Sequence, residues 1–113
     1  LPLTQDERKI VALTARYHRT SLPRPSHPVY LDLTDTQRKI VNTLAAILRV
    51  ADGLDRSHTA AILSLRVTQD EKQIRIYCRS RGLAADEMHY AKAKADLLEQ
   101  VFKRTAVFTQ ELL

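Results

Sequence analysis

The chain has 113 residues, 44% apolar and 27% charged, with two Gly, four Pro and one Cys. This composition suits a folded protein of about one domain and excludes low-complexity, collagen-like and disulfide-framework classes. No apolar run approaches the roughly 18 residues of a membrane span, and no signal-peptide pattern opens the chain.

Eighteen basic residues against 13 acidic ones leave a net charge of +5, with twelve Arg and six Lys. Guanidinium makes flat, two-pronged hydrogen bonds to carboxylate and phosphate, so the Arg bias leans towards an oxyanion partner. A basic solvated surface accounts for the same count. Cys78 alone can form neither an internal disulfide nor a cysteine-rich zinc site, so a reducing, cytoplasmic setting is expected. Leu1 rather than Met at the first position points to a piece of a longer protein.

A helix is expected from Thr4 to Arg19. Thr4 caps it and Glu7 completes a capping box, while Ile10, Leu13 and Tyr17 recur at helical spacing. Thr20 to Leu33 then holds Pro23, Pro25 and Pro28, which fix φ and remove amide donors, so this stretch reads as a stiff loop without regular structure. A second helix, opening at Thr34, repeats the first start: Leu33-Thr34-Asp35-Thr36-Gln37-Arg38-Lys39-Ile40-Val41 echoes Leu3-Thr4-Gln5-Asp6-Glu7-Arg8-Lys9-Ile10-Val11. Ile40, Leu44, Ile47, Ala51 and Leu54 form one stripe, and Val41, Ala45 and Leu48 the next. So wide an apolar face predicts the most buried helix of the chain, packed on more than one side.

The period changes after His58. Leu63, Leu65 and Val67, then Ile74, Ile76 and Cys78, alternate with polar residues around Asp70-Glu71-Lys72, which predicts a β-hairpin. A third helix is expected from about Ala84 to Lys103, and a short closing strand from Thr105 to Thr109. The fold class is therefore α+β, with a helical part over residues 1–58 and a small β-hairpin–helix–strand unit over residues 59–113.

Asp52 interrupts an apolar stripe and needs a partner, with Arg49 three residues before it and Arg56 four after it. An ion pair ending a buried helix, a metal ligand and an organiser of an anion site all remain open for it. Gly53 costs roughly 1 kcal/mol against alanine inside a helix, which points to a close approach or a kink. Arg16, His18 and Arg19 crowd a helix end, Arg24 and His27 follow, and no acidic residue lies between Glu7 and Asp32. A polyanion could lie along this segment, although cations also suit a helix C-terminus without any ligand. Arg66, Arg75 and Arg79 flank Tyr77 on the polar side of the hairpin. One aromatic makes no stacking platform, which disfavours nucleic acid and favours a solvated face. No P-loop, nucleophile elbow, H-E-x-x-H helix or cysteine pair occurs.

The strings Ala15-Arg16-Tyr17-His18-Arg19, Leu22-Pro23, Ser26-His27-Pro28 and Leu48-Arg49-Val50-Ala51-Asp52-Gly53-Leu54-Asp55-Arg56-Ser57-His58 closely resemble the C-terminal region of the exopolyphosphatase / guanosine pentaphosphate phosphatase (Ppx/GppA) family. The specific strings fall within the first 58 residues, and the tail matches by element order alone. The resemblance implies two upstream lobes of actin-like ATPase fold, carrying phosphate, Mg and the catalytic carboxylate. It further implies a helical region similar to HD-type phosphohydrolases and a small α+β end. This chain corresponds to the second part of that helical region and the end.

The HD-type His and His-Asp pair are missing from it, and only Asp52 matches the last Asp of that signature. The resemblance therefore implies a chain without a catalytic centre or cofactor of its own. In the family the region helps to bind long polyphosphate and to form a homodimer. Arg16, His18, Arg19, Arg24 and His27 are then the anion contacts, followed by Arg49 and Arg56, with polyphosphate or guanosine pentaphosphate reached through the parent protein. Two alternatives stand beside this reading: an HD-type metal-dependent phosphohydrolase module with a metal at Asp52, and a purely structural dimerising module.

Overall fold

The computed structural model describes residues 2–19, 21–24 and 26–112. Thr20 and Pro25 of the expected proline loop lie outside the described residues. Five helices and three strands follow in the order α1 (Gln5–Arg19), α2 (Pro28–Leu31), α3 (Asp35–Leu54), β1 (Ile62–Gln69), β2 (Gln73–Ser80), α4 (Ala85–Ala93), α5 (Asp96–Phe102) and β3 (Thr105–Leu112). The fold is α+β, a helical part followed by a small sheet unit.

Both expected capping boxes form. Thr4 Oγ1 accepts from the Glu7 amide at 3.1 Å while Glu7 Oε1 accepts from the Thr4 amide at 2.9 Å. Thr34 and Gln37 repeat the exchange at 3.2 and 2.9 Å. Each box satisfies amides that the first turn would otherwise leave orphaned.

The loop is less irregular than expected, for it contains one helical turn, α2. Pro28 opens that turn, where its missing N–H costs nothing and its fixed φ suits the helix. Arg38 clamps it from α3, its guanidinium donating to the carbonyls of Tyr30 and Leu31.

The expected burial of α3 is corrected. Val41, Ala45, Ala46, Arg49, Val50, Gly53 and Leu54 are buried, whereas Ile40, Leu44, Ile47 and Leu48 are 42–51% exposed. Of the stripe Ile40, Leu44, Ile47, Ala51 and Leu54, only Leu54 is buried. Hydrophobic periodicity locates a sticky face but not how much of it the rest of the described chain covers.

The sheet order is β1-β2-β3. β1 and β2 form the expected antiparallel hairpin, with Leu65 opposite Cys78, Val67 opposite Ile76 and an irregularity at Leu63. β3 runs parallel to β2 and is longer than expected. Parallel neighbours need a crossover, and α4 and α5 supply it. The third helix is thus two helices, broken at Lys94 and Ala95, both with ψ near zero in the pair's flanking caps. The break sets Asp96 at the start of α5, where its carboxylate accepts from the Leu97 amide at 2.8 Å and meets Arg49. Ile74, Ile76 and Cys78 of β2 join Leu13, Tyr17, Val41, Val50, Ala91 and Leu98 in one buried cluster, so both halves of the chain share a core.

Gly53 has the tight surroundings its position suggests. A Cβ there would lie 2.8 Å from Ala91 Cα and N and 2.9 Å from Tyr90 C. The absent side chain lets α3 and α4 pack backbone to backbone, which ties the helical part to the sheet unit.

Candidate anion site

The amphipathic pattern of α1 turns Leu13, Thr14 and Tyr17 inward and leaves Arg16 and Arg19 exposed beside them. Tyr17 is fully buried. Its ring stacks on His27 of the loop, with centroids 5.5 Å apart and 13° between planes, and meets Tyr30 of α2 edge-on at 5.8 Å. The Tyr17 hydroxyl and His27 Nδ1 are 2.5 Å apart. Arg16 lies over the same tyrosine ring at 5.5 Å. A turn folds the loop back, the His27 amide donating to the Arg24 carbonyl at 3.0 Å. Tyr17 is thus a rigid post that Arg16 and His27 both contact, with Arg24 joined to His27 through the backbone turn.

The electrostatics match that arrangement. Burial, and then the charges of Arg16 and Arg24, hold His27 below the usual histidine value. Both guanidiniums therefore act on the imidazole, and among the described residues neither carries an ion pair to a carboxylate. Burial pushes the Tyr17 phenol up, keeping it neutral across the physiological range.

The remaining expected anion contacts go elsewhere. Arg49 is buried, and its guanidinium donates to both carboxylate oxygens of Asp96 at 3.0–3.2 Å and to the Tyr17 carbonyl at 3.1 Å. Every arm of that fork is occupied within the fold, so Arg49 is a structural residue, not an anion contact. Arg56 is exposed and stacks over Tyr90 of α4 at 4.5 Å, on a different surface. His18 is half-buried and its Nδ1 is buried without a partner among the described residues. Arg19 is exposed, one helical turn from Arg16, and its carbonyl accepts from Lys94 Nζ at 2.7 Å.

Asp52 is half-buried on α3. The expected pair with Arg49 does not form, because Asp96 holds that guanidinium more favourably, in a two-pronged contact. Among the described residues no three His, Cys, Asp or Glu side chains come together around Asp52 or elsewhere.

Two contributors lay outside the expected set. Tyr17 reads in the sequence as a core position, yet its hydroxyl organises His27. A tyrosine on a buried stripe flanked by Arg and His carries that signal, since a buried phenol needs a partner. Lys94 lies 75 residues from Arg19 and no local pattern joins them.

A second surface is apolar. Ile47 and Leu54 of α3, Leu65 and Val67 of β1, Ile76 of β2 and Phe102 of α5 line a groove of about 310 Å³. Leu65 and Val67 face the core side of the sheet, by their register with Cys78 and Ile76, but remain 51% and 57% exposed. β1 is an edge strand, and among the described residues no strand pairs with its other side. Among the described residues no helix is long and apolar enough to cross a membrane.

A scan of the sequence against protein-family models finds no match, and a search of curated proteins finds none either.

Proposed function

We propose that this chain is an accessory polyanion-binding module, the rear part of an exopolyphosphatase-like phosphohydrolase whose catalytic lobes and Mg site belong to the parent protein. The observation that carries the reading is that Arg16 and His27 both contact buried Tyr17, that the backbone turn joins Arg24 to His27, and that neither guanidinium is paired to a carboxylate among the described residues. Desolvating a phosphate there would not first require breaking an ion pair. Arg19, exposed one turn away, adds a further cation at the same helix end. The resemblance of Arg16-Tyr17-His18-Arg19 and of Leu48 to His58 to the Ppx/GppA family supports a phosphoryl chain over other polyanions. The same reading sets the protein in a reducing cytoplasm, which suits a lone, buried Cys78.

The test is a titration with long-chain polyphosphate at several salt concentrations. Binding is expected to weaken steeply as salt rises, as it does for nucleic-acid backbones that release counterions. Arg16→Ala and Arg24→Ala should each weaken it further.

The apolar groove favours a second role alongside the first, the docking of a second copy of this chain. An edge strand with exposed Leu65 and Val67 beside exposed Ile47 offers both unpaired backbone and apolar surface. Sedimentation at micromolar concentration tests it: a dimer that Leu65→Lys dissociates supports this role, and a wild-type monomer removes it.

A further inference from the structure

We propose that Tyr17 is the positioning residue of the anion site, its buried hydroxyl donating to His27 Nδ1 and so fixing the tautomer that presents Nε2–H to a tetrahedral oxyanion between Arg16 and Arg24. The inference rests on the anion-site reading above and says how the neutral partner in that site is made directional. Tyr17 has no exposed surface, and His27 Nδ1, at 2.5 Å, is the only partner of its hydroxyl among the described residues. If Nδ1 carried the proton instead, the phenol proton would be buried without an acceptor, an arrangement that folded proteins avoid. The hydroxyl therefore donates, Nδ1 accepts and the ring proton sits on Nε2. Nε2 has no hydrogen-bond partner among the described residues and is not among the buried orphaned atoms, so it is open to a ligand.

Tyr17 is itself held from three sides. Arg49 donates to its carbonyl, Tyr30 meets its ring in a T-shaped contact, and its hydroxyl is bonded to an imidazole whose plane lies within 13° of its own. A loop histidine is thereby given the rigidity of a core residue, which is what an oriented donor requires. The titratable groups that bear on His27 are Arg16 and Tyr17 from α1 and Arg24 from the loop, and both charges among them are positive. Burial first, and then those two charges, hold the imidazole below its usual pKa. A donor hydrogen bond to Nδ1 also favours the neutral ring.

The experiment uses the 113-residue chain and inorganic sulfate, a tetrahedral dianion whose charge stays constant from pH 5 to 8 by its chemistry. Nitrogen-15 NMR of the imidazole reports the tautomer, and chemical-shift titration reports sulfate affinity. Wild type is expected to show His27 as Nε2–H at the alkaline end of that range. In Tyr17→Phe the proton distributes over both nitrogens, the ring titrates at higher pH than in wild type, and sulfate affinity at the alkaline end falls about two- to tenfold, the worth of one net hydrogen bond. Protonation at Nδ1 in wild type overturns the inference. So does unchanged affinity in Tyr17→Phe while Arg16→Ala still weakens binding, an outcome that leaves the anion site standing. Wild type that binds no sulfate overturns both. If Tyr17→Phe does not fold, the wild-type tautomer together with His27→Ala decides: Nε2–H and weakened binding support the positioning role, and either one failing contradicts it.

Discussion

Arg49 and Arg16 carry the same guanidinium on neighbouring helices, and the fold uses them in opposite ways. Arg49 is buried with its donors on Asp96 and the Tyr17 carbonyl, while Arg16 is exposed and lies over the ring of that same tyrosine, without a carboxylate among the described residues. Tyr17 stands between them, bound through its backbone to the structural arginine and through its ring and hydroxyl to the site. The contrast teaches that a count of basic residues does not measure an anion site. What separates a strut from a contact is whether the guanidinium's donors are already used inside the protein.

The comparison can be broken most strongly at Asp96. Asp96→Ala strands the Arg49 charge in the core, and breaking one side of such a pair costs about 3 kcal/mol, offset here because Asp96 itself is 42% exposed. Chemical denaturation should show the loss, and a variant as stable as wild type would remove the structural role. Gly53→Ala should cost about 1–3 kcal/mol by overpacking against the Ala91 backbone, read as a lowered urea midpoint. This holds even though alanine is the better helix former.

On the open side the expectation inverts. Arg16→Ala and Arg24→Ala should change stability by no more than about 0.5 kcal/mol, as is usual for exposed positions, yet weaken polyphosphate binding in filter or fluorescence titrations.

The smallest effect concerns Asp70 at the hairpin turn. Its carboxylate accepts from the Lys72 and Gln73 amides and pairs with Arg75, which holds its pKa down at about 2 against an ordinary 3.8. Because the folded value is the lower one, this contribution is complete above pH 4 and is lost as pH falls towards 2. Acid titration of wild type against Asp70→Asn should show a difference at neutral pH that closes on acidification.

Much of the local architecture was legible in the sequence, and long-range choices were not. The capping boxes at Thr4 and Thr34 and the alternation of Ile74, Ile76 and Cys78 depend on neighbours within a few residues, so pattern suffices for them. Arg49 could reach Asp52 along its own helix, but its partner is 47 residues away on α5, and no helical spacing encodes that. The break at Lys94 and Ala95 was hidden too, since no Gly or Pro marks it in the sequence. The stripe at Ile40, Leu44 and Ile47 looked buried because periodicity marks apolar faces and not their cover. In the site, the acid-free run from Arg8 to Leu31 pointed to Arg16, Arg24 and His27. It could not separate them from His18, whose Nδ1 is buried, nor show that Tyr17 joins α1 to the loop.

The most direct measurement is the affinity of the 113-residue chain for long-chain polyphosphate, compared between wild type and the Arg16→Ala/Arg24→Ala double variant across a salt series. Wild type is expected to bind in a salt-sensitive way. The double variant is expected to keep an unchanged urea midpoint and to bind at least tenfold more weakly, with a shallower salt slope, since two phosphate contacts are gone. Equal binding by the two proteins, with equal salt slopes, would contradict the anion-site reading.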